Sequence, residues 1–111
     1  NAEAVEVLRE GLGVCRRVHG GEHEQTADVL RRIGQALARQ GKLDLALVEL
    51  EEALEIQVRV QGPDGLGVAQ TRNGIANVHH QQLRLQEALE GYKEALRIAQ
   101  ERLGDEHLHV A

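Results

Sequence analysis

The sequence predicts an all-α tandem of antiparallel helical hairpins, and three observations carry that expectation. Gly20, Gly62 and Gly104 recur 42 residues apart, and so do Ala27, Ala69 and Ala111, as well as Ala4, Ala46 and Ala88. The stretch from Ala27 to Gly62 holds two amphipathic helical patterns, split by Gly41-Lys42 and closed by Gly62-Pro63. The apolar residues are almost all Leu, Val, Ile and Ala, with no Phe, Trp or Met and with Tyr92 as the only aromatic. Such a core suits close helix–helix packing. A period of this size marks a stacked array in which each unit buries its apolar face against a neighbour.

The elements follow in order. Residues 1–18 read as a helix, with Ala4, Val5, Leu8, Leu12, Cys15 and Val18 at helical spacing on one face. Gly11 and Gly13 each cost about 1 kcal/mol of helix propensity against alanine. Gly11 stands in register with Ala53 and Ala95, which points to a packing need for a small residue. Gly20-Gly21 ends this helix. A second helix is expected from Glu24 to Gln40, burying Ala27, Leu30, Ile33, Gly34 and Leu37. After the Gly41-Lys42 turn a third runs from Leu43 to Gln61, with Asp44 favouring its positive end. It buries Ala46, Leu47, Leu50, Ala53, Leu54 and Val58 and turns Glu49, Glu51, Glu52 and Glu55 outward.

Pro63 cannot continue that helix. A fourth is expected from Leu66 to Gln82, burying Ala69, Ile75, Ala76 and Val78. A fifth runs from Leu85 to Leu103 with Ala88, Leu89, Tyr92, Ala95, Leu96 and Ala99 inside, and Gly104 ends it. Asp105 to Ala111 then begins a further unit. The count is five helices plus a C-terminal stub, with short turns making neighbours antiparallel. One repeat domain over 1–111 divides into a partial repeat at 1–20, full repeats at 21–62 and 63–104, and the start of another at 105–111.

With 111 residues, one domain with a modest core is expected. The net charge of −5 and the lack of stacking aromatics argue against nucleic acid. No apolar run approaches the roughly 18 residues of a membrane span, and no signal peptide opens the chain. Cys15 stands alone, so no internal disulfide is available and a reducing, cytoplasmic setting is expected. Its bland role is that of a small helix residue.

The pattern Leu30, Ile33-Gly34, Leu37, Gly41, Ala46, Leu50 and Ala53-Leu54 resembles the signature of the tetratricopeptide repeat. The longer period, the Gly-x-x-His at Gly20–His23 and Gly104–His107, and Asn73-Gly74-Ile75-Ala76-Asn77-Val78 are similar to the repeats of kinesin light chains. The resemblance implies a right-handed superhelix whose concave side, lined by the first helix of each unit, holds a linear peptide of a partner protein. The matching positions are Asp28, Arg31, Gln35 and Arg39, then Gln70, Asn73, Asn77 and His80. Asn and Gln can bond an extended backbone from both sides, and Arg31 and Arg39 can fork onto carboxylates, so an acidic segment is expected. The bland alternative is a solvated helix face. Arg72, His79, Leu83 and Gly65 depart from the pattern at the places of Leu30, Leu37, Gly41 and His23, which makes the later unit the looser one.

Both ends cut through the repeat, so the chain reads as part of a longer array or as one completed by association. Val5, Leu8 and Leu12 are then expected to face a missing helix and to support end-to-end dimerisation or helix exchange, making a structural spacer or self-assembly unit the alternative function. A metal is not expected. His79 and His80 diverge by about 100° on a helix, and Ala27 stands where a zincin-like motif from His23-Glu24 would need histidine. His23 and His107 recur with the period, which favours a structural role. No cofactor or enzyme activity is expected: the chain has no serine, Cys15 has no base at fixed spacing, and its carboxylates are spread over helix surfaces.

Overall fold

The computed structural model describes residues 2–110, with side chains from Ala4 to Arg102. Five helices follow one another: α1 (Ala2–His19), α2 (Glu24–Arg39), α3 (Leu43–Gln61), α4 (Leu66–Gln81) and α5 (Leu85–Val110). α2 pairs with α3 and α4 with α5, while α1 lies on α2, α3 on α4, and α2 touches α4. This is an all-α tandem of helical hairpins. No helix among the described residues is long and apolar enough to cross a membrane.

The turns follow from backbone chemistry. Gly41 (φ 81°) closes the first hairpin by donating to the Ala38 carbonyl, and Lys42 donates to that of Leu37, satisfying two orphan carbonyls of α2. The second hairpin repeats both bonds with Leu83 and Arg84, donating to His80 and His79. Leu83 therefore sits at φ 64° without being glycine, a left-handed conformation that costs an L-residue about 1–2 kcal/mol. Leu83 is 80% exposed, so its side chain returns little of that cost. Leu83→Gly is expected to raise the unfolding free energy by about 0.5–1 kcal/mol after glycine's own entropy penalty. Urea titration would read this as a higher midpoint; an unchanged or lower one would refute it.

Between hairpins, Gly20 (φ 85°) and Gly62 (φ 87°) end α1 and α3 alike. In the first junction His23 caps α2, its Nδ1 accepting from the Gln25 N–H at 3.1 Å, which is the structural role its recurrence suggested. Gly65 stands at that position in the second junction. There the cap comes from α3: Gln61 Oε1 accepts from the Gly67 N–H at 3.1 Å, and a Cβ on Gly65 would collide with that same oxygen. The missing histidine is thus replaced by a glutamine from the preceding helix.

The core around α2 and α3 joins Leu30, Ile33, Leu37, Ala46, Leu50, Ala53 and Ile56. A second cluster joins Val68, Ala69 and Ile98 with Leu54 and Val58 against it. Thr71 is fully buried and donates to Gln57 Oε1 at 2.5 Å, so the buried pair satisfies itself across α3 and α4.

Three expectations need correction. α5 does not stop at Gly104 but runs to Val110, leaving no separate stub within the described residues. An interior glycine costs only about 1 kcal/mol, and unlike Gly62 it is not followed by proline. Leu89 and Leu96 are 53% and 57% exposed because no described helix covers that side of α5, whereas Ile98, on the opposite side of the helix, is buried. Val5 and Leu12 are buried, and Leu8 packs against the same cluster. They face α2, not an open end, since α1 uses this stripe to cover Leu30, Ile33 and Leu37.

Candidate peptide groove

α2 and α4 lie side by side, and a cleft of about 230 Å³ opens between them. Gln35 and Arg39 line one wall, Asn77 and Gln81 the other, and Leu50 of α3 reaches the floor beside Gly74 and Val78. The helical period explains the arrangement, because residues four apart share a helix face. A glycine at 74 keeps the floor low: a Cβ there would meet Leu50 Cδ2 at ordinary contact, 3.6 Å.

The six residues singled out for the groove are divided by the structure. Gln35, Arg39 and Asn77 come together in the cleft. Arg31 does not join them, being bound to Asp28 at 2.7 Å with its side chain 19% exposed. Asn73 lines a separate groove on the far side of α4, shared with Tyr92. His80 is exposed and lines neither cleft. Gln81 takes the wall position expected for His80, and the period itself contained that signal, since Gln81 stands 42 residues after Arg39. Tyr92, expected inside, is only half-buried, and its hydroxyl donates to Asn77 Oδ1, presenting that amide at the cleft edge.

Electrostatically, Arg39 is the cleft's available cation. It enters no ion pair or hydrogen bond among the described residues, whereas Asp28 holds both Arg31 and Arg32. The second crevice, about 310 Å³ between α4 and α5, has a different character. Arg72 and His79 line it where the first hairpin has buried Leu30 and Leu37, and Glu87 and Glu94 face them. His79 Nε2 lies 3.7 Å from Glu87, and the buried Arg72 Nε has no hydrogen-bond partner among the described residues. Hydrogen bonds from Arg97 hold the Glu94 carboxyl below the usual carboxylate range, against the opposing effect of desolvation. No three His, Cys, Asp or Glu side chains converge on a metal-sized site among the described residues. His19 and His23 instead stack ring on ring, 4.4 Å between centroids.

The family model for the tetratricopeptide repeat matches the chain in three overlapping passes, at residues 1–57, 32–101 and 67–111. The chain belongs to the tetratricopeptide repeat family. Repeats of this family mediate protein–protein interaction. The "Clustered mitochondria protein homolog" of Homo sapiens is 32% identical over 104 residues, covering 94% of this chain and 8% of that protein. Its Danio rerio counterpart is likewise 32% identical over 104 residues, covering 94% of this chain and 7% of that protein. The chain therefore spans less than a tenth of the length of the curated relatives it matches. Among solved structures, BtubC (BKLC) from P. vanneervenii superposes with a TM-score of 0.81 at 21% identity, covering 87% of this chain and 38% of that one. That likeness concerns the fold alone.

Proposed function

We propose that this tetratricopeptide segment binds an extended, acidic peptide of a partner protein in the cleft between α2 and α4. One observation carries the reading: Gln35, Arg39, Asn77 and Gln81 converge on a single cleft, and Arg39 has no partner among the described residues. Three amides can donate to and accept from a peptide backbone, fixing its register without reading its sequence. Arg39 would supply the selection by forking onto an Asp or Glu side chain. Leu50 and Val78 give the floor an apolar patch for one flanking side chain. The same reading divides the chain into repeats at 21–62 and 63–104 that each contribute one wall, and places it in the cytoplasm, where the lone Cys15 stays reduced.

The test is capture from lysate with mass-spectrometric identification, followed by titration of peptides from the captured partner. Arg39→Glu should weaken binding by tenfold or more, the scale of about 1.4 kcal/mol or more set by a lost charge-assisted bond and a new repulsion. Arg31→Glu should have a much smaller effect, because Arg31 is already committed to Asp28. Equal binding by wild type and Arg39→Glu, with helicity unchanged by circular dichroism, would refute the cleft reading.

A further inference from the structure

The two walls of the α2/α4 cleft carry amides in register, Gln35 on α2 and Asn77 on α4, 42 residues apart. A side-chain amide can turn either its oxygen or its nitrogen toward a ligand, so by itself it selects neither donors nor acceptors. Gln35 is in that state. It enters no hydrogen bond among the described residues, and Leu50, the α3 residue that floors the cleft beside it, has no polar side-chain atom to offer. The Gln81 amide is equally free.

Asn77 differs, and the repeat shows why. Tyr92 of α5 stands 42 residues after Leu50. Leu50 can only fill space, whereas Tyr92 reaches α4 from the groove on its far side and donates its hydroxyl proton to Asn77 Oδ1. Asn73, one turn earlier on α4 and lining the same groove as Tyr92, has no such bond among the described residues. With its oxygen held by the phenol, the Asn77 carboxamide keeps the two N–H donors of Nδ2 for the cleft. Arg39 is a donor in every state. The two cleft groups whose hydrogen-bonding sense is set therefore lie on opposite walls, and both demand oxygen.

We infer that Tyr92 is a positioning residue that makes Asn77 a fixed donor, so that the bound segment sets a main-chain carbonyl against α4 while its carboxylate meets Arg39 on α2. This role rests on the peptide-binding reading of the cleft. The neutral amide is matched by a neutral oxygen, because a carboxylate desolvated against it would be left without a counter-charge. Selection then operates through both walls, and on the α4 wall it is set by a side chain outside the cleft.

The experiment is an anisotropy titration of fluorescein-labelled hexaglutamate with the full chain, as wild type, Arg39→Glu, Tyr92→Phe, Asn77→Ala and the Tyr92→Phe/Asn77→Ala double variant. Tyr92→Phe keeps the ring and should bind about threefold to tenfold more weakly, the scale of one neutral hydrogen bond. In the Asn77→Ala background the same change should cost nothing further, an outcome that a packing role for Tyr92 would not give. The Tyr92→Phe loss should be equal at low and high salt, since the lost bond goes to an uncharged oxygen; a loss confined to low salt would overturn the carbonyl assignment. In the ligand-free protein, the side-chain amide NMR signals of Asn77 should move in Tyr92→Phe while those of Gln35 stay in place. Equal binding by wild type and Tyr92→Phe, with Arg39→Glu weakened, would overturn the positioning role and leave the cleft reading standing. So would a Tyr92→Phe loss that persists in full in the Asn77→Ala background. Hexaglutamate that treats wild type and Arg39→Glu alike would instead overturn the cleft reading, and this role with it.

Discussion

Replacing Leu50 with alanine is expected to lower the unfolding free energy by about 2–5 kcal/mol, the range for truncating a fully buried leucine. Leu50 is 1% exposed and belongs to no single hairpin. Its side chain fills the space above Gly34 of α2, touches the position of Gly74 on α4, and forms the floor of the α2/α4 cleft. A cavity there loosens the first hairpin and its junction with the second together. Small domains hold only about 5–15 kcal/mol in reserve, so the variant should be close to marginal at ambient temperature. The control is Leu45→Ala on the same helix, 54% exposed, which should stay within about 0.5 kcal/mol of wild type. Chemical denaturation monitored by circular dichroism separates the two, and a Leu50→Ala loss no larger than the control's would dispose of the shared role.

The second large effect runs against helix propensity. Gly34→Ala should cost about 1–3 kcal/mol, although alanine is the better helix former by about 1 kcal/mol. A Cβ at position 34 would lie 2.6 Å from Leu50 Cγ, 2.9 Å from its Cδ2 and 3.2 Å from the Ala46 carbonyl oxygen. The leucine is enclosed and the carbonyl belongs to α3, so neither can retreat cheaply. Packing therefore outweighs propensity at this site. The cause can be isolated by a double-mutant cycle: in the Leu50→Ala background the added methyl enters the vacated space, and Gly34→Ala should become neutral or stabilising. Additive losses in the double mutant would show that the two residues do not share that space. The second hairpin solves the same problem from the other side, with Ala76 at the matching position and Gly91 on α5 yielding the room.

Much of this architecture is legible in the sequence because it is written twice. Gly20 and Gly62 both mark helix ends, though Gly104 at the same period does not, and Ala27, Ala46 and Ala53 match buried Ala69, Ala88 and Ala95. What escapes the sequence is which of two apolar stripes on one helix meets a neighbour. On α1 both Val5/Leu8/Leu12 and Val7/Val14/Val18 have helical spacing, and only the position of α2 decides between them. Leu96 is misread for a related reason: its counterpart Leu54 is half-buried because α4 covers it, and no described helix covers Leu96. Thr71 looks like a surface residue until Gln57 is found beside it to accept its proton. Within the groove, residue type pointed to Gln35, Arg39 and Asn77 together, whereas the Arg31–Asp28 pairing depends on rotamers that spacing alone does not determine.

The two junctions cap their following helices differently, and this bears on the order in which the chain can assemble. α2 carries its own cap, since His23 lies two residues before the amide it serves. That helix start can form as soon as its own residues exist. α4 borrows its cap from Gln61 at the end of α3, six residues upstream and across the Gly62-Pro63 turn. The start of α4 is consequently secured only after the end of α3 has taken shape, a dependence that runs one way along the chain. A ribosome releases Gln61 before Gly67, so synthesis proceeds in the direction the borrowed cap requires, whereas unfolding from the end of α3 would release α4 along with it.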